Sequence, residues 1–321
     1  MPDATQWDQI EQVGDCCSRV FAHLACLAAQ GELIHQDDTS VRIVTLSKEN
    51  QQIRAQAAAQ GCSRAKERTG MCTTALVSRV GERSICLYDC GRSHAGENLA
   101  ALFAHREADQ APPIVMSDAL SRNEVDEAMV IRCHCLAHGR RQCSDIAEGF
   151  PSECQVVLDA LKQVFDHDEE AHDQQMRPPA RLAYHQAYRQ PLLDERKDWL
   201  AKQGEDRLVE PNSSLGQAIA SMQKHWRTLT RFFSIPDAPL DNNVVERALK
   251  LFIRQRKNAL CYKTEYSAYL ASVLTSLIAP CVYAGVNAVE SLVARQEHRA
   301  EVFADPAAWL PWTYAASRAS P

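Results

Sequence analysis

The chain has 321 residues, 45% of them hydrophobic, and a formal net charge of −6. That length admits one large domain or two ordinary ones with ample apolar content for a core, and the acidic balance excludes a protein that coats nucleic acid indiscriminately. No apolar run reaches membrane-spanning length and the opening residues lack a signal-peptide pattern; 13 irregularly spaced cysteines point to a reduced cytoplasmic chain rather than a disulfide framework.

In chain order, residues 6–30 predict a helix through Trp7, Ile10, Val13, Val20, Phe21, Leu24 and Leu27, stopped at Gly31. Residues 32–46 read as a strand interrupted near Asp37-Asp38-Thr39. Residues 50–66, polar and Ala-rich, read as a mobile loop or a weak helix. Residues 71–80 and 84–90 alternate around Gly81-Glu82, a strong hairpin signal. An amphipathic helix over 95–108 comes next, then a short strand at 114–116 running into Ser117-Asp118, then a strand at 130–135.

This order predicts an antiparallel meander of three strands, a fourth strand returning beside the first, and a mixed sheet with helices against it. Beyond Pro151 the pattern is helical, over 152–172, 178–203 and 214–232, with prolines at 211, 236 and 239 as breaks. Further helices are expected over 242–258 and 268–284, the last kinked or shortened by Pro280. The tail around Trp309-Leu310-Pro311-Trp312 is expected to dock.

The chemistry concentrates in Asp241-Asn242-Asn243-Val244-Val245-Glu246-Arg247 and the cationic residues after it. Arg247, Lys250, Arg254 and Lys257 recur at three- and four-residue intervals, forming a basic stripe behind the acid Glu246. A carboxylate heading a cationic stripe suits a metal-dependent phosphodiester enzyme: the acid holds a divalent ion and the stripe holds phosphates. Asn243 with Glu246 three residues on is equally a helix capping box. Asp37, Asp38 and Asp118 sit where strands end or break. Neighbouring first and fourth strands would bring two acids beside a helix-borne third, a set that cradles two hard divalent ions. For Asp118 alone a strand-end turn, and for Asp37-Asp38 a bulge or solvated turn, explain the residues as well.

Other clusters offer less. Cys133, Cys135, His138 and Cys143 have zinc-like content but not a familiar finger spacing, and thiols in a strand pack as small apolar groups. The run Asp166-His167-Asp168-Glu169-Glu170 reads as a solvated helix face. Gly91 to Gly96 has phosphate-loop glycines, but Glu97-Asn98 replaces the required Lys-Ser/Thr, which excludes nucleotide binding there.

The chain resembles the catalytic part of DDE transposases of the insertion sequence 66 family. The residues that carry this are Arg68-Thr69-Gly70, Gly91 to Leu99, Met116 to Leu120, Cys135 to Arg141, Val209 to Ser213, Lys224-His225-Trp226, Pro239 to Asn243 with Glu246-Arg247, Arg256-Lys257-Asn258 and Trp309 to Trp312. The resemblance covers essentially the whole chain, and its Asp-Asn-Asn-x-x-Glu-Arg and Cys-x-x-His-x-Arg-Arg blocks are highly specific.

It implies an α/β, ribonuclease-H-like mixed sheet. The catalytic domain would span 1–258 with a helical insertion at about 150–238, succeeded by a helical region over 259–321. It implies Asp37, Asp118 and Glu246 as catalytic and metal-holding acids, Asp37 rather than Asp38 matching an Asp-x-Thr element. Mg²⁺ or Mn²⁺, two ions, are the implied cofactors. DNA is the implied partner, contacted by Arg247, Lys250, Arg254, Arg256 and Lys257, with Asn242, Asn243, Cys135, His138, Arg140 and Arg141 in support.

The implied activity is DNA strand cleavage and strand transfer by a homo-oligomer, with accessory proteins of the same element. A catalytically silent assembly remnant and a nuclease that cuts without joining are the alternatives. Family members usually carry a longer amino-terminal region, so recognition of element ends is expected to lie outside this chain. Cys72, Cys143 and Cys261 stand where the family has an aromatic residue, and Pro280 where it has a helix-compatible one. Each exchange is expected to cost about 1–3 kcal/mol.

Overall fold

The computed structural model describes residues 2–62 and 67–319. In chain order the elements are α1 (Asp3–Ala28), β1 (Leu33–Ser40), α2 (Val44–Ala59), β2 (Cys72–Val80), β3 (Arg83–Gly91), α3 (Ala95–Phe103), β4 (Ile114–Ser117), β5 (Ile131–His134) and α4 (Leu136–Asp145). Then come α5 (Pro151–Asp173), α6 (Pro178–Tyr188), α7 (Gln190–Glu205), α8 (Ser214–Leu229), α9 (Asn243–Ala259), α10 (Glu265–Tyr283), α11 (Ala288–Glu297), α12 (Arg299–Ala304) and α13 (Pro311–Ala319). The result is a mixed α/β chain whose five strands are ordered β3-β2-β1-β4-β5. No helix among the described residues is long and apolar enough to cross a membrane.

Two compact units divide the chain, one of residues 1–113, 121–129 and 243–321, the other of 114–120 and 130–242. In the first, β1, β2 and β3 form the expected antiparallel meander. One of its faces is covered by α9 and α10: Ala75, Val77, Cys86 and Tyr88 pack with Val245, Leu249, Phe252 and Ala279. Helix α1 lies along α10, so closely that a side-chain carbon on Gly14 would come within 2.3 Å of Leu270 Cδ2.

The carboxy-terminal segment docks as expected. Arg295, only 1% exposed, donates to the Trp309 carbonyl and to Ser291 Oγ, and Trp309 stacks on Tyr314. In the second unit β4 and β5 pair in parallel, and α4 to α8 surround them. Helix α8 starts on a built cap. Ser213 Oγ accepts the Gly216 N–H, and Gly216 sits so close to the Glu210 carbonyl that no side chain fits there.

Several expectations need correction. Strand β1 is not interrupted at its acids: all eight residues pair with β2, Asp37 opposite Ala75 and Asp38 opposite Thr74. Adjacent acids stay in the strand because Asp38 is ion-paired to Arg122 and His94. The strand stops at Ser40 rather than 46, and residues 44–59 form α2, so of the two readings of the polar, Ala-rich stretch the helix holds; residues 63–66 of that stretch lie outside the described residues.

Helix α3 ends at Phe103 rather than 108, and Arg106 just beyond it donates to the carbonyls of Ala29, Gly31 and Ala111. The single helix expected over 178–203 is two, because Pro191 lacks an amide hydrogen and fits the first turn of α7. Helix α10 continues three residues past Pro280, which lies in its last turns. On α5, Asp168 is no solvated charge; it pairs with Arg181 and with the buried His185.

Candidate active site

Strand alternation separates the two adjacent acids. Side chains of directly opposed residues share a face of the sheet, and successive residues point to opposite faces. Asp37 is opposite Ala75, which packs with Val245, Leu249 and Phe252 of α9. Asp37 therefore belongs to the α9 face. It is half-buried, and its Oδ1 accepts the Asp38 N–H at 2.8 Å.

Asp38 belongs to the other face. Its side chain is 4% exposed, with Oδ2 at 2.8 Å from His94 Nδ1 and Oδ1 at 3.2 Å from Arg122. The same face carries Thr74, whose hydroxyl accepts from Asn98.

The segment from Gly91 to Leu99 builds this second face. Arg92 donates to Asn50 Oδ1 and the Arg68 carbonyl and pairs with Glu49. Glu97 caps α3 by accepting the His94 N–H and pairs with Arg68, which holds the Glu97 carboxyl below the usual carboxylate range. At Gly96 a Cβ would lie 2.7 Å from the Glu124 carbonyl and 2.9 Å from that of Arg122, so only glycine lets α3 approach that turn. Gly96 thus serves packing.

Helix α9 presents the third acid. It begins at Asn243, so Glu246 lies in its first turn, half-buried beside the apolar seam of Val245, Leu249 and Phe252. Asn243, expected as the cap, is the first helical residue, and Asn242 before it is fully buried. The helix is pinned to the sheet at one point near Glu246: Tyr88 Oη donates to the Ala248 carbonyl at 2.9 Å, and its ring packs on Phe252.

Along α9, Arg247, Lys250, Arg254 and Lys257 are all exposed, so the four cations lie along one helix as their spacing predicted. Arg256 is placed differently. It is half-buried and donates to Thr39 Oγ1, Ser40 Oγ and the Ser40 carbonyl, tying the end of α9 to the end of β1.

The second unit holds Asp118, half-buried directly after β4, where its Oδ1 accepts the Leu120 N–H at 3.2 Å. It lines a cleft of about 370 Å³ with Cys135, His138, Arg141, Ser221 and His225 among others. Cys135 stands just before α4: its sulfur accepts the Asn242 N–H at 3.3 Å, while burial pushes the thiol up to about 11. Arg140 and Arg141 are exposed.

Burial likewise raises Cys133 to about 12 and Cys143 to about 11. Among the described residues, the ligand atoms of Cys133, Cys135, His138 and Cys143 supply no group of three within 4.8 Å of one another. The buried His134, lowered to about 4 by burial, meets the His225 ring edge-on at 5.0 Å and Thr228 Oγ1 at 2.8 Å. The roles of His94, Arg92, Arg122 and His225 were not read from the sequence. A histidine three residues before a glutamate at a helix start was the available signal for His94.

A family model described as "Transposase IS66 family" matches residues 2–269. The uncharacterized protein y4jD of Sinorhizobium fredii (strain NBRC 101917 / NGR234) is 28% identical over 155 residues, covering 48% of this chain and 29% of the relative. The uncharacterized protein y4hP of the same organism is 28% identical over 161 residues, covering 46% of this chain and 28% of the relative. The chain thus matches under a third of the length of each relative.

Proposed function

Because the chain belongs to the IS66 family of transposases, we propose that it is the catalytic part of a DDE transposase, with Asp37, Asp118 and Glu246 as the acids. The observation that carries the reading is the separation of Asp37 from Asp38. Asp38 is spent on His94 and Arg122, whereas Asp37 shares the α9 face on which Glu246 opens the helix.

The donor set is three carboxylates, hard oxygen ligands that fit Mg²⁺ or Mn²⁺ better than a softer ion. Asp37, Asp118 and Glu246 would hold two such ions, which when bound supply Lewis-acid activation of the attacking oxygen and charge neutralisation at the leaving one. The rest falls to the chain's own side chains. Arg247, Lys250, Arg254 and Lys257 bind phosphates without reading sequence. Arg256 fixes α9 against β1, Tyr88 fixes it at Ala248, and Cys135 holds the Asn242 N–H.

The reaction has two steps. Water adds to phosphorus and a DNA 3′-oxygen leaves; that 3′-hydroxyl then attacks a target phosphodiester, whose own 3′-oxygen leaves. Each step exchanges one P–O bond for another, without a covalent protein intermediate. DNA is the partner, held by a homo-oligomer on paired ends with accessory proteins of the same element, in the reduced cytoplasm where the DNA lies.

The test is incubation of the purified chain with supercoiled plasmid and a 3′-hydroxyl oligonucleotide in Mn²⁺. Nicked plasmid and oligonucleotide joined to plasmid, both lost in Asp37→Asn, are expected. Nicking without joining identifies a plain nuclease. Neither product identifies a silent assembly remnant.

A further inference from the structure

On the face of the meander opposite Asp37, three ligating groups of different chemistry meet. Asp38 Oδ2 lies 2.8 Å from His94 Nδ1, and Cys72 Sγ lies 3.5 Å from the same nitrogen. All three ligand atoms are within 4.8 Å of one another. We propose that Asp38, Cys72 and His94 bind a zinc ion, distinct from the hard-ion site of the three proposed catalytic acids.

The donor set decides the metal class. A thiolate, an imidazole and a carboxylate match Zn²⁺, bound at about 2.0–2.3 Å from each donor, which puts tetrahedral ligand atoms about 3.3–3.8 Å apart. The present separations need only a slight opening on the Asp38 side. One sulfur ligand disfavours Mg²⁺ and Mn²⁺, which prefer oxygen.

Arg122 completes the outer layer. It holds Asp38 Oδ1 at 3.2 Å and leaves Oδ2 turned to the histidine, as partners behind a ligating carboxylate do. A cleft of about 420 Å³ lined by His94, Arg68, Arg122 and Glu124 gives an entry path and room for a water as fourth ligand.

Binding balances simply. The thiol proton of Cys72, now donated to the Ser93 carbonyl at 2.9 Å, leaves to solvent, and the imidazole proton moves from Nδ1 to Nε2. The ion then ties β1, β2 and the start of α3 together directly behind Asp37. It gives Cys72 a use at a position where an aromatic side chain would only fill space.

Cobalt substitution tests this on the full chain. Titration with Co²⁺ is expected to give one equivalent of a species with a thiolate-to-cobalt charge-transfer band, displaced by Zn²⁺. The band should vanish in Cys72→Ser and in His94→Gln and persist in Cys90→Ser and Cys133→Ser. Zn²⁺ should raise the Tm of the wild type by several degrees. Absence of the band in the wild-type chain, or its persistence in both Cys72→Ser and His94→Gln, would overturn the site.

Discussion

Asp37 and Tyr88 stand in one row across the meander, with Ala75 between them, and the Tyr88 hydroxyl is bonded to the Ala248 carbonyl at 2.9 Å, two residues past Glu246. The start of α9 is therefore anchored over the row that carries Asp37. Tyr88→Phe keeps the ring on Phe252 and loses the bond, so stability should fall by about 1 kcal/mol in chemical denaturation. Phe252→Ala, which empties a site in the same cluster, should cost about 3–5 kcal/mol. Near-equal losses would mean that the hydroxyl bond anchors the helix as much as the Phe252 side chain does.

The two adjacent aspartates should separate cleanly by mutation. Asp37→Asn should change stability by less than about 1 kcal/mol and abolish divalent-dependent DNA cleavage. Asp38→Asn removes the charge that Arg122 and His94 share, and should lower stability by about 1–3 kcal/mol. Thermal unfolding and plasmid nicking of the two variants check this; the reverse pattern would exchange their roles.

The fold was legible where pattern is local, and less so where tertiary partners decide. The hairpin at Gly81-Glu82 and the basic spacing on α9 were readable because period-two and period-3.6 patterns are set by neighbours in sequence. The continuity of β1 through two acids was not, because it depends on Arg122 and His94, 84 and 56 residues away. Asp37 and Asp38 were separable only once the register with Ala75 and Thr74 was known. Arg256 joined the expected DNA contacts through the resemblance alone, and its bonds to Ser40 are a tertiary fact.

That difference among the basic residues has a measurable form. Lys250→Ala and Arg254→Ala should each weaken DNA binding at low salt and reduce the slope of log K against log [salt] by about 1. Arg256→Ala should instead lower stability by about 1–3 kcal/mol, because it leaves three acceptors at the end of β1. Fluorescence anisotropy over a salt series, beside thermal melts, distinguishes the two behaviours.

Burial divides the cysteines. Cys26 and Cys62 are exposed, whereas burial lifts Cys17, Cys72, Cys86 and Cys133 to about 12. A raised thiol pKa leaves little thiolate at pH 8, and reactivity appears only as pH climbs toward that value. Ellman's reagent at pH 8 should therefore show a fast phase carried by Cys26 and Cys62, lost in the double serine variant. A fast phase that survives in that variant would point to a partly buried thiol, Cys90 or Cys261, or to a buried one.

The most direct measurement is calorimetric titration of Mn²⁺ into the wild-type chain and into Asp37→Asn, Asp118→Asn and Glu246→Gln. One site built by three acids predicts binding in the wild type that weakens at least ~10-fold in each variant, with unchanged far-UV circular dichroism. Binding that ignores Asp118→Asn or Glu246→Gln would contradict a shared metal centre.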